Sequence, residues 1–412
     1  MKTKLIIASA LLLSIQVWAQ PARLTLDDAV RLALEKNPAV QAAALERDRQ
    51  AALKPAAIDI PKTDVTLMKG QYNSIQKNDN NITVTQTLPF PTVLHRQVAL
   101  SRAQTEAAGL RHRITRGEMA YQVRQVFVQL LYLQARAQML AREDSIMKHL
   151  QRSAELQYKT GEVNLLVQTA AQTQVLELGN QISRNASDRR STLQHLQLLC
   201  QEPMLAGVEG DLETLSIQAD TDSAALAQNP NLALGNTLVT TALWQKKVEI
   251  ARTWPDIRVG YFNQTLIGTQ TVNGQDRYFG SSYRFQGFEV GLALPLWFPS
   301  HTARIRAAAI GREAAQKQAD ATRTLLQQQH LQARADLVKN TNSLAYYRQT
   351  ALNNASLLER QSLKAFDAGE IDLTTHLLNL RQALSIREGY LDALHQYHQS
   401  NITLHYLNGN QE

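Results

Sequence analysis

Two stretches of the sequence, Tyr158-Lys-Thr-Gly-Glu-Val-Asn-Leu-Leu166 and Phe366-Asp-Ala-Gly-Glu-Ile-Asp-Leu-Thr374, share the pattern Gly-Glu-apolar-Asx-Leu. Each follows a very long helical pattern, and other landmarks recur in the same order, which indicates a tandem duplication. A copy of about two hundred residues is far longer than a solenoid unit, so we predict one pseudo-symmetric body. The other landmarks are Asn37-Pro38, which returns as Asn229-Pro230, and Leu88-Pro89-Phe90-Pro91, which returns as Leu294-Pro295-Leu296-Trp297.

The first 19 residues have the features of a secretory signal peptide. Lys2 and Lys4 supply the charged start, Leu5 to Leu13 the apolar core, and Val17-Trp18-Ala19 a cleavage site. A membrane anchor is the weaker interpretation, because a spanning helix needs about 20 apolar residues. We therefore predict that residues 1–19 are removed and that the chain leaves the cytoplasm.

The composition argues against several classes of function. Cys200 is the only cysteine, which excludes an intramolecular disulfide and a cysteine-based zinc site. The net charge of +7 is spread over helical faces without a basic block, which disfavours nucleic-acid binding. The sequence has no phosphate loop, Ser-His-Asp spacing, metal motif or paired acid site, so we expect neither enzymatic activity nor a cofactor.

The first copy, residues 20–205, combines helices with two short strands. After a first helix over about 26–57, partial alternation of apolar and polar residues predicts strands at about 63–72 and 81–88. A long helix over about 92–159 carries apolar residues at the four-three spacing of a coiled-coil seam. A glycine breaks this helix, and a return helix follows at about 165–199.

The second copy, residues 206–412, repeats this order of elements. Strands are predicted at about 256–265 and 283–294, and we expect a polar loop from Gly268 to Ser282 between them. A long helix over about 302–366 and a return helix over about 370–406 follow. The predicted seam of the long helix comprises Leu326, Ala333, Leu337, Leu344, Tyr347, Ala351 and Leu358.

The element lengths suggest an architecture. In each copy, one helix of about 65 residues matches two shorter helices placed end to end, at about 100 Å and 1.5 Å per residue. The strands then lie at one end of a rod and the glycine turns at the other. Four strands per chain are fewer than the about eight that a membrane barrel needs, so several chains are expected to share one barrel.

The whole mature chain resembles the outer-membrane efflux proteins of the TolC family. The resemblance rests on Leu24-Thr-Leu-Asp-Asp-Ala29 through Asn37-Pro38, on the repeated order of elements and on the two Gly-Glu turns. It implies a mainly α protein with membrane β-strands. A homotrimer would form a 12-stranded β-barrel in outer-membrane lipid, four strands from each chain, on a long periplasmic α-helical coiled-coil barrel. This tunnel would dock onto a periplasmic adaptor protein and an inner-membrane pump of the RND type.

Within that family, one branch is most similar. The Gln86-Thr-Leu-Pro-Phe-Pro91 segment and the compact length resemble the heavy-metal cation efflux branch, which includes CzcC- and CusC-like proteins. The CusC-like lipoproteins begin with a cysteine that this chain lacks. The resemblance thus implies a passive exit duct for heavy-metal cations. Multidrug efflux, type I secretion by the same fold and a pore-less periplasmic scaffold are the alternatives.

In this resemblance the two glycine turns are the periplasmic tips. It implies that both tips present the surface on which the adaptor docks, whereas plain helix-hairpin turns are the alternative. Asn164 and Asp372 are expected to cap the return helices. The implied docking residues are Gly161, Glu162, Val163, Asn164 and Leu165 in the first tip and Gly369, Glu370, Ile371, Asp372 and Leu373 in the second.

Candidate pore residues lie near the second tip. TolC itself closes its pore with aspartate rings, but counting from Gly369 places Thr375 and Leu378 at those positions, which puts such a ring in doubt. Three-fold symmetry would turn any inward acidic residue into a ring of three carboxylates that favours cations. A solvated tip with capping acids is the alternative. The possible gate residues are Asp367, Glu370, Asp372 and Thr375, with Glu162 as a further acid.

Two histidines are weak candidates for a metal site. His395 and His398 are one turn apart on the last helix, so they could share an ion. No carboxylate or cysteine completes a ligand set in the sequence. Hydrogen bonding at the surface or between helices is therefore the preferred interpretation, and no metal is expected.

Overall fold

The computed structural model describes residues 23–72, 75–220 and 222–409. The predicted signal peptide, residues 1–19, lies outside the described residues. The chain divides into two compact units, each of which contains parts of both sequence copies. The first unit comprises the described parts of Met1–Asn37, Met119–Ile217 and Val338–Ile402, and the second those of Pro38–Glu118, Gln218–Leu337 and Thr403–Glu412.

The elements of the first copy follow the predicted order. They are β1 (Arg23–Leu24), α1 (Leu26–Lys36), α2 (Pro38–Ala52), β2 (Asp64–Lys69), β3 (Asn80–Leu88), α3 (Pro91–Thr160) and α4 (Leu165–Cys200), and β4 (Gly207–Val208) opens the second copy. The prediction of one helix over 26–57 is wrong, because the helix stops at Asn37, where ψ is 125°. Proline disfavours the helical conformation of the residue before it, so Pro38 starts a new helix.

After β4, the second copy repeats the order of helix, strands, long helix and return helix, but it has one α-helix before its strands instead of two, an added hairpin and a π-helical turn. Its elements are α5 (Pro230–Ala251), β5 (Asp256–Gln264), β6 (Gly268–Val272), β7 (Gln275–Phe279), β8 (Phe285–Ala293), α6 (Phe298–Tyr346), a π-helical turn (Tyr347–Ala351), α7 (Leu352–Asp367) and α8 (Leu373–Leu407). The expected polar loop is instead the hairpin β6–β7. Asn273 and Gly274 both have positive φ, 54° and 80°, as a tight two-residue hairpin turn requires.

The predicted second long helix is not a continuous α-helix. It changes to a π-helical turn at Tyr347–Ala351 and then resumes as α7. The wider turn sets Tyr347 against Gly389 of α8, where a Cβ atom would come within 2.8 Å of the Tyr347 ring. Four predicted seam residues on α6 are buried, as is Ala351 in the turn, whereas Tyr347 and Leu358 are half-buried. The four are Leu326, Ala333, Leu337 and Leu344.

The seam of α3 is largely buried, as predicted. Val123, Leu130 and Leu140 are at most 3% exposed. Near the end of α3 the core continues into α4 and α8, which burial of aliphatic side chains stabilises by about 1.5–3 kcal/mol each. This core contains Leu140, Met147, Leu150, Ala154, Ala171, Leu178, Leu373 and Leu380.

The repeated Asn-Pro pair has the same structural task in both copies. Asn37 Nδ2 donates to the Leu199 carbonyl at 3.0 Å, and Asn229 Nδ2 donates to the Leu407 carbonyl at 2.8 Å. Both carbonyls belong to the last turn of a return helix, where backbone acceptors have no helical partner. Each asparagine therefore ties the beginning of a copy to the end of its own return helix.

We expect Asn37→Ala and Asn229→Ala each to lower the free energy of unfolding by about 1–3 kcal/mol, because each leaves a buried carbonyl without its donor. Thermal unfolding of the purified variants measures this loss. Asn353→Ala is the control, since the exposed Asn353 side chain bonds only within its own helical stretch, to the Gln349 carbonyl. Equal losses in all three variants would contradict the assigned role.

The four predicted strands form one antiparallel sheet in the order β2-β3-β5-β8, so β3 of the first copy pairs with β5 of the second. Cross-strand partners lie on the same face of a sheet. Register places mainly apolar residues on one face and mainly polar residues on the other. The apolar face carries Val65, Leu67, Ile82, Val84, Leu88, Ile257, Val259, Tyr261, Phe288, Val290 and Leu292.

A second, smaller sheet pairs the start of the chain with the segment after the first return helix. β1 and β4 form a two-stranded parallel sheet, with Arg23 opposite Gly207. Within residues 23–72, 75–220 and 222–409, no helix combines the length and the apolar character that crossing a membrane requires.

Candidate functional site

The two tip turns have the same backbone geometry. Gly161 and Gly369 have φ values of +83° and +75°, a region that residues with a Cβ rarely adopt. In both tips, the glutamate after the glycine donates its backbone N–H to the carbonyl five residues earlier, at 2.8 Å. This bond and the positive φ define a Schellman motif, which satisfies the last carbonyls of the preceding helix.

The return helices begin with matching caps, as predicted. Asn164 Oδ1 accepts from the Val167 backbone N–H at 3.1 Å, and Asp372 Oδ1 accepts from the Thr375 N–H at 2.8 Å. Hydrogen bonds from Thr375 hold the pKa of Asp372 below its usual value. Asp372 therefore stays ionised, and its carboxylate is the N-cap of α8.

The tips differ in what they expose. Gly161, Glu162 and Asn164 are exposed and Val163 is half-buried, while Leu165 is 59% exposed. The second tip matches this pattern at its glycine and its two acidic residues, but Leu373 is only 2% exposed and belongs to the core. In this conformation the first tip alone offers its leucine to a partner.

A groove next to the first tip extends the exposed apolar surface. It has a volume of about 300 Å³ and lies between α4 and α8. Leu166 at its rim is 75% exposed and Leu378 on the opposite side is 64% exposed. This groove was not predicted, although the sequence holds a Leu-Leu pair near the start of each return helix, Leu165-Leu166 and Leu377-Leu378. Its lining comprises Leu166, Val167, Ala170, Gln174, Thr374, Leu377, Leu378 and Arg381.

The candidate gate residues occupy three different settings. Asp367 ends α7 and Glu370 lies in the turn, and both are exposed. Asp372 and Thr375 are brought together by the cap. Leu378, the second of the two aspartate-ring positions found by counting from Gly369, lines the groove beside the first tip. A ring of carboxylates at this tip would draw on the exposed Asp367, Glu370 or Asp372, the last of which also caps α8.

A buried polar pair lies under the second tip and was not predicted. Ser362 Oγ lies 2.8 Å from His376 Nδ1, and both residues are 4% exposed. The His376 ring stacks on Phe366 with centroids 5.0 Å apart. Burial lowers the pKa of His376, so the ring is neutral at neutral pH. The two partners are separated by the turn, so only the folded hairpin reveals the pair.

His395 and His398 do not converge on one site. His398 Nε2 lies 3.0 Å from the Leu212 carbonyl oxygen, whereas the His395 ring packs against Tyr132 with centroids 4.7 Å apart. Burial lowers the pKa of His395 to about 4, so it is neutral. The described parts of the chain hold no group of three or more His, Cys, Asp or Glu side chains placed to bind a metal.

Solved structures with the same fold match nearly the whole chain. The outer-membrane channel OprN has a TM-score of 0.76 at 16% identity, over 94% of this chain and 91% of OprN. CusC, whose structures are described in terms of transmembrane channel formation, has a TM-score of 0.75 at 14% identity, over 93% of this chain and 92% of CusC. The outer membrane protein VceC from Vibrio cholerae has a TM-score of 0.74 at 16% identity, over 93% and 96%. The fold is that of an outer-membrane channel. No family model matches the chain, and no curated protein matches it significantly.

The channel fold confirms the expected fold class, mainly α with a set of β-strands. It agrees with the resemblance to the TolC family at the level of architecture. OprN is described as an outer-membrane channel and CusC as forming a transmembrane channel, which agrees with the expectation that the chain is not an enzyme.

Proposed function

We propose that the chain is the outer-membrane channel of a tripartite efflux system. In this role it is the passive exit duct for substrates that an inner-membrane pump and a periplasmic adaptor deliver. The observation that carries the proposal is the channel fold, shared over nearly the full length with OprN, CusC and VceC.

The four-stranded sheet supports a location in the outer membrane. Its apolar face is exposed in a single chain: Phe288 is 87% and Val290 76% exposed. An isolated water-soluble protein rarely presents so continuous an apolar surface, whereas a lipid-facing sheet requires one. The pore-less periplasmic scaffold gives no reason for this face.

The same sheet supports a homotrimer. β2 and β8 are its two edges, and each has one partner strand within the described sheet. Open edges are not tolerated in lipid, so β2 of one copy would pair with β8 of the next. Three copies would then close a 12-stranded barrel.

The tips support docking of the adaptor protein. Both end in the same Schellman turn, and the first adds the exposed Leu165 and Leu166 beside an apolar groove. Exposed aliphatic residues around a groove are suited to helix-in-groove contacts with a partner. Asp367 and Glu370 are proposed to narrow the pore at this end, where three copies of each would favour cations.

We propose heavy-metal cations as the cargo. The support is the resemblance of the Gln86–Pro91 segment to that branch and the presence of CusC among the similar structures. Deleting the gene and scoring growth against divalent and monovalent metals, antibiotics and detergents tests this cargo. We expect selective metal sensitivity that the intact chain restores. Sensitivity to drugs alone would keep the duct and reassign its cargo, and unchanged growth on every compound would overturn the efflux role.

A further inference from the structure

The segment that joins β8 to α6 leaves large apolar side chains uncovered in the second unit. We refer to residues 294–306 as the α6 junction. Trp297 is 83% exposed, and its neighbours Leu296 and Phe298 are exposed as well. The exposed Leu294 and Leu296 continue the spacing of two residues that β8 uses on its apolar face. The apolar surface of the α6 junction therefore extends the sheet face that we place in lipid.

The corresponding segment of the first copy turns its aromatic residue inward. In the repeated run, Phe90 occupies the position of Leu296. Phe90 stacks on Trp254 with ring centroids 5.1 Å apart, and Arg96 lies over the Trp244 ring at 5.7 Å from its centroid. Leu296 is 70% exposed instead. The α6 junction thus presents outward what the first copy covers with its own side chains.

The charge that follows these apolar residues is of one sign. Residues 290–312 contain three arginines, Arg304, Arg306 and Arg312, and no Asp or Glu. The matching stretch of the first copy, residues 80–105, likewise contains two arginines and no Asp or Glu. Both segments in which a long helix leaves the sheet are therefore basic. Basic segments next to a membrane are attracted to anionic lipids.

The spacing along α6 places two of the arginines within reach of lipid headgroups. Arg304 and Arg306 are exposed and follow Phe298, the first residue of α6, by six and eight positions. At 1.5 Å per residue they lie about 9 and about 12 Å along the helix from it. Aromatic residues mark the edge of the apolar band of a membrane barrel, and the headgroup layer beyond it is about 5–8 Å thick. Arginine side chains are long enough to bend back over this difference.

We infer that the α6 junction binds anionic phospholipids of the periplasmic leaflet. Trp297 and Phe298 contact the acyl chains, and Arg304 and Arg306 donate to phosphate oxygens, whose geometry the guanidinium fork matches. The two positive charges favour lipids with a net negative charge. This inference rests on the proposed location in the outer membrane.

The geometry of the sheet favours lipid over a second copy of the chain as the cover of the α6 junction. A neighbouring copy would pair with the edge strand β8 in the plane of the sheet. Side chains on the apolar face point out of that plane. The surface that Leu294 and Leu296 continue therefore faces away from the proposed contact between copies.

The test uses Trp297 as a reporter of lipid contact. In the full chain with Trp244→Phe and Trp254→Phe, Trp297 is the only tryptophan after residue 19. The purified protein is reconstituted into phosphatidylcholine bilayers that contain brominated phosphatidylglycerol or brominated phosphatidylcholine, because bromine quenches tryptophan fluorescence on contact. The quenching gives the affinity for phosphatidylglycerol relative to phosphatidylcholine at this position. We expect a ratio of at least about fivefold, the effect of about one arginine at a membrane surface.

Two double variants separate the arginines of the α6 junction from the general charge of the helix. Arg304→Gln/Arg306→Gln should lower the ratio to less than about twofold. The control, Arg323→Gln/Arg334→Gln, removes the same charge farther along α6, more than about 35 Å from Phe298, and should leave the ratio unchanged.

Equal losses in the two double variants would overturn the inference, because general attraction would then explain the binding. Quenching of equal strength by both lipids would show lipid contact without the arginine site. An inserted chain whose Trp297 is not quenched would have protein over the α6 junction, which sinks this inference but not the channel. A chain that does not insert into bilayers would overturn the outer-membrane location as well.

Discussion

Replacing Gly161 and Gly369 together with valine is expected to abolish export while the channel still accumulates in the outer membrane. Neither glycine has an atom within 4 Å of a built Cβ, so the effect acts through the backbone. A left-handed conformation costs a residue with a Cβ about 1–2 kcal/mol, and β-branching adds to this. The two valines should therefore change the backbone conformation of both tips without disturbing the four-stranded sheet. Growth on the cargo to which the deletion strain is sensitive measures export.

Gly179→Val/Gly311→Val is the matched control. These glycines lie in the middle of α4 and α6, have ordinary helical φ and likewise have no atom within 4 Å of a built Cβ. The control should export normally. Normal export by a correctly assembled Gly161→Val/Gly369→Val variant would remove the docking role of the tips.

Glu143→Gln is expected to stabilise the protein at pH 8 by up to about 3 kcal/mol, because ionising this buried carboxyl in the folded chain costs about 1.36 kcal/mol for each pH unit by which its pKa is raised. Glu143 is only 8% exposed, and burial raises its pKa from 4.5 to about 7. Glu388 raises this pKa further, while Arg136 and Arg387 oppose the shift. Glutamine has a similar shape without the charge, so it avoids the cost of ionising a buried carboxyl.

The stabilisation by Glu143→Gln is expected to increase with pH. Between pH 4.5 and 7 the unfolded chain releases the Glu143 proton and the folded chain retains it, so native stability falls as the pH rises. The gain from glutamine should therefore be about 2 kcal/mol larger at pH 8 than at pH 5. Thermal unfolding at both pH values measures the difference. Glu155→Gln is the control, because a hydrogen bond from Lys159 lowers the pKa of Glu155. A pH-independent gain would contradict the assigned pKa.

Local chemistry explains what could be predicted from the sequence. The tip turns depend on a glycine, a cap and the end of a helix, all within a few residues of one another, so Gly161–Leu165 and Gly369–Leu373 could be found. The strands were predictable because apolar residues alternate, most clearly from Phe288 to Leu294. The β6–β7 hairpin carried an equally local signal, Asn273-Gly274, but the surrounding polar residues favoured a loop.

Features that depend on distant residues could not be predicted. The π-helical turn involves Tyr347 and Gly389, which meet only when α8 folds back. The high pKa of Glu143 depends on burial and on Glu388 of another helix. No spacing along the sequence records these contacts.

The π-helical turn also changes the direction in which the side chains of the second copy point around the helix axis, compared with those of the first copy. Each extra residue in such a turn offsets the following side chains by about 100° from the line that an unbroken α-helix would keep. α3 has no π-helical turn. The side chains of α7, which precedes the second tip, are therefore rotated about the helix axis relative to the corresponding side chains of α3, which precedes the first tip. A chimaera built from two first copies would carry both turn motifs but would lose this difference in rotation. When the two copies are aligned residue by residue, the extra residue shifts the alignment after Tyr347.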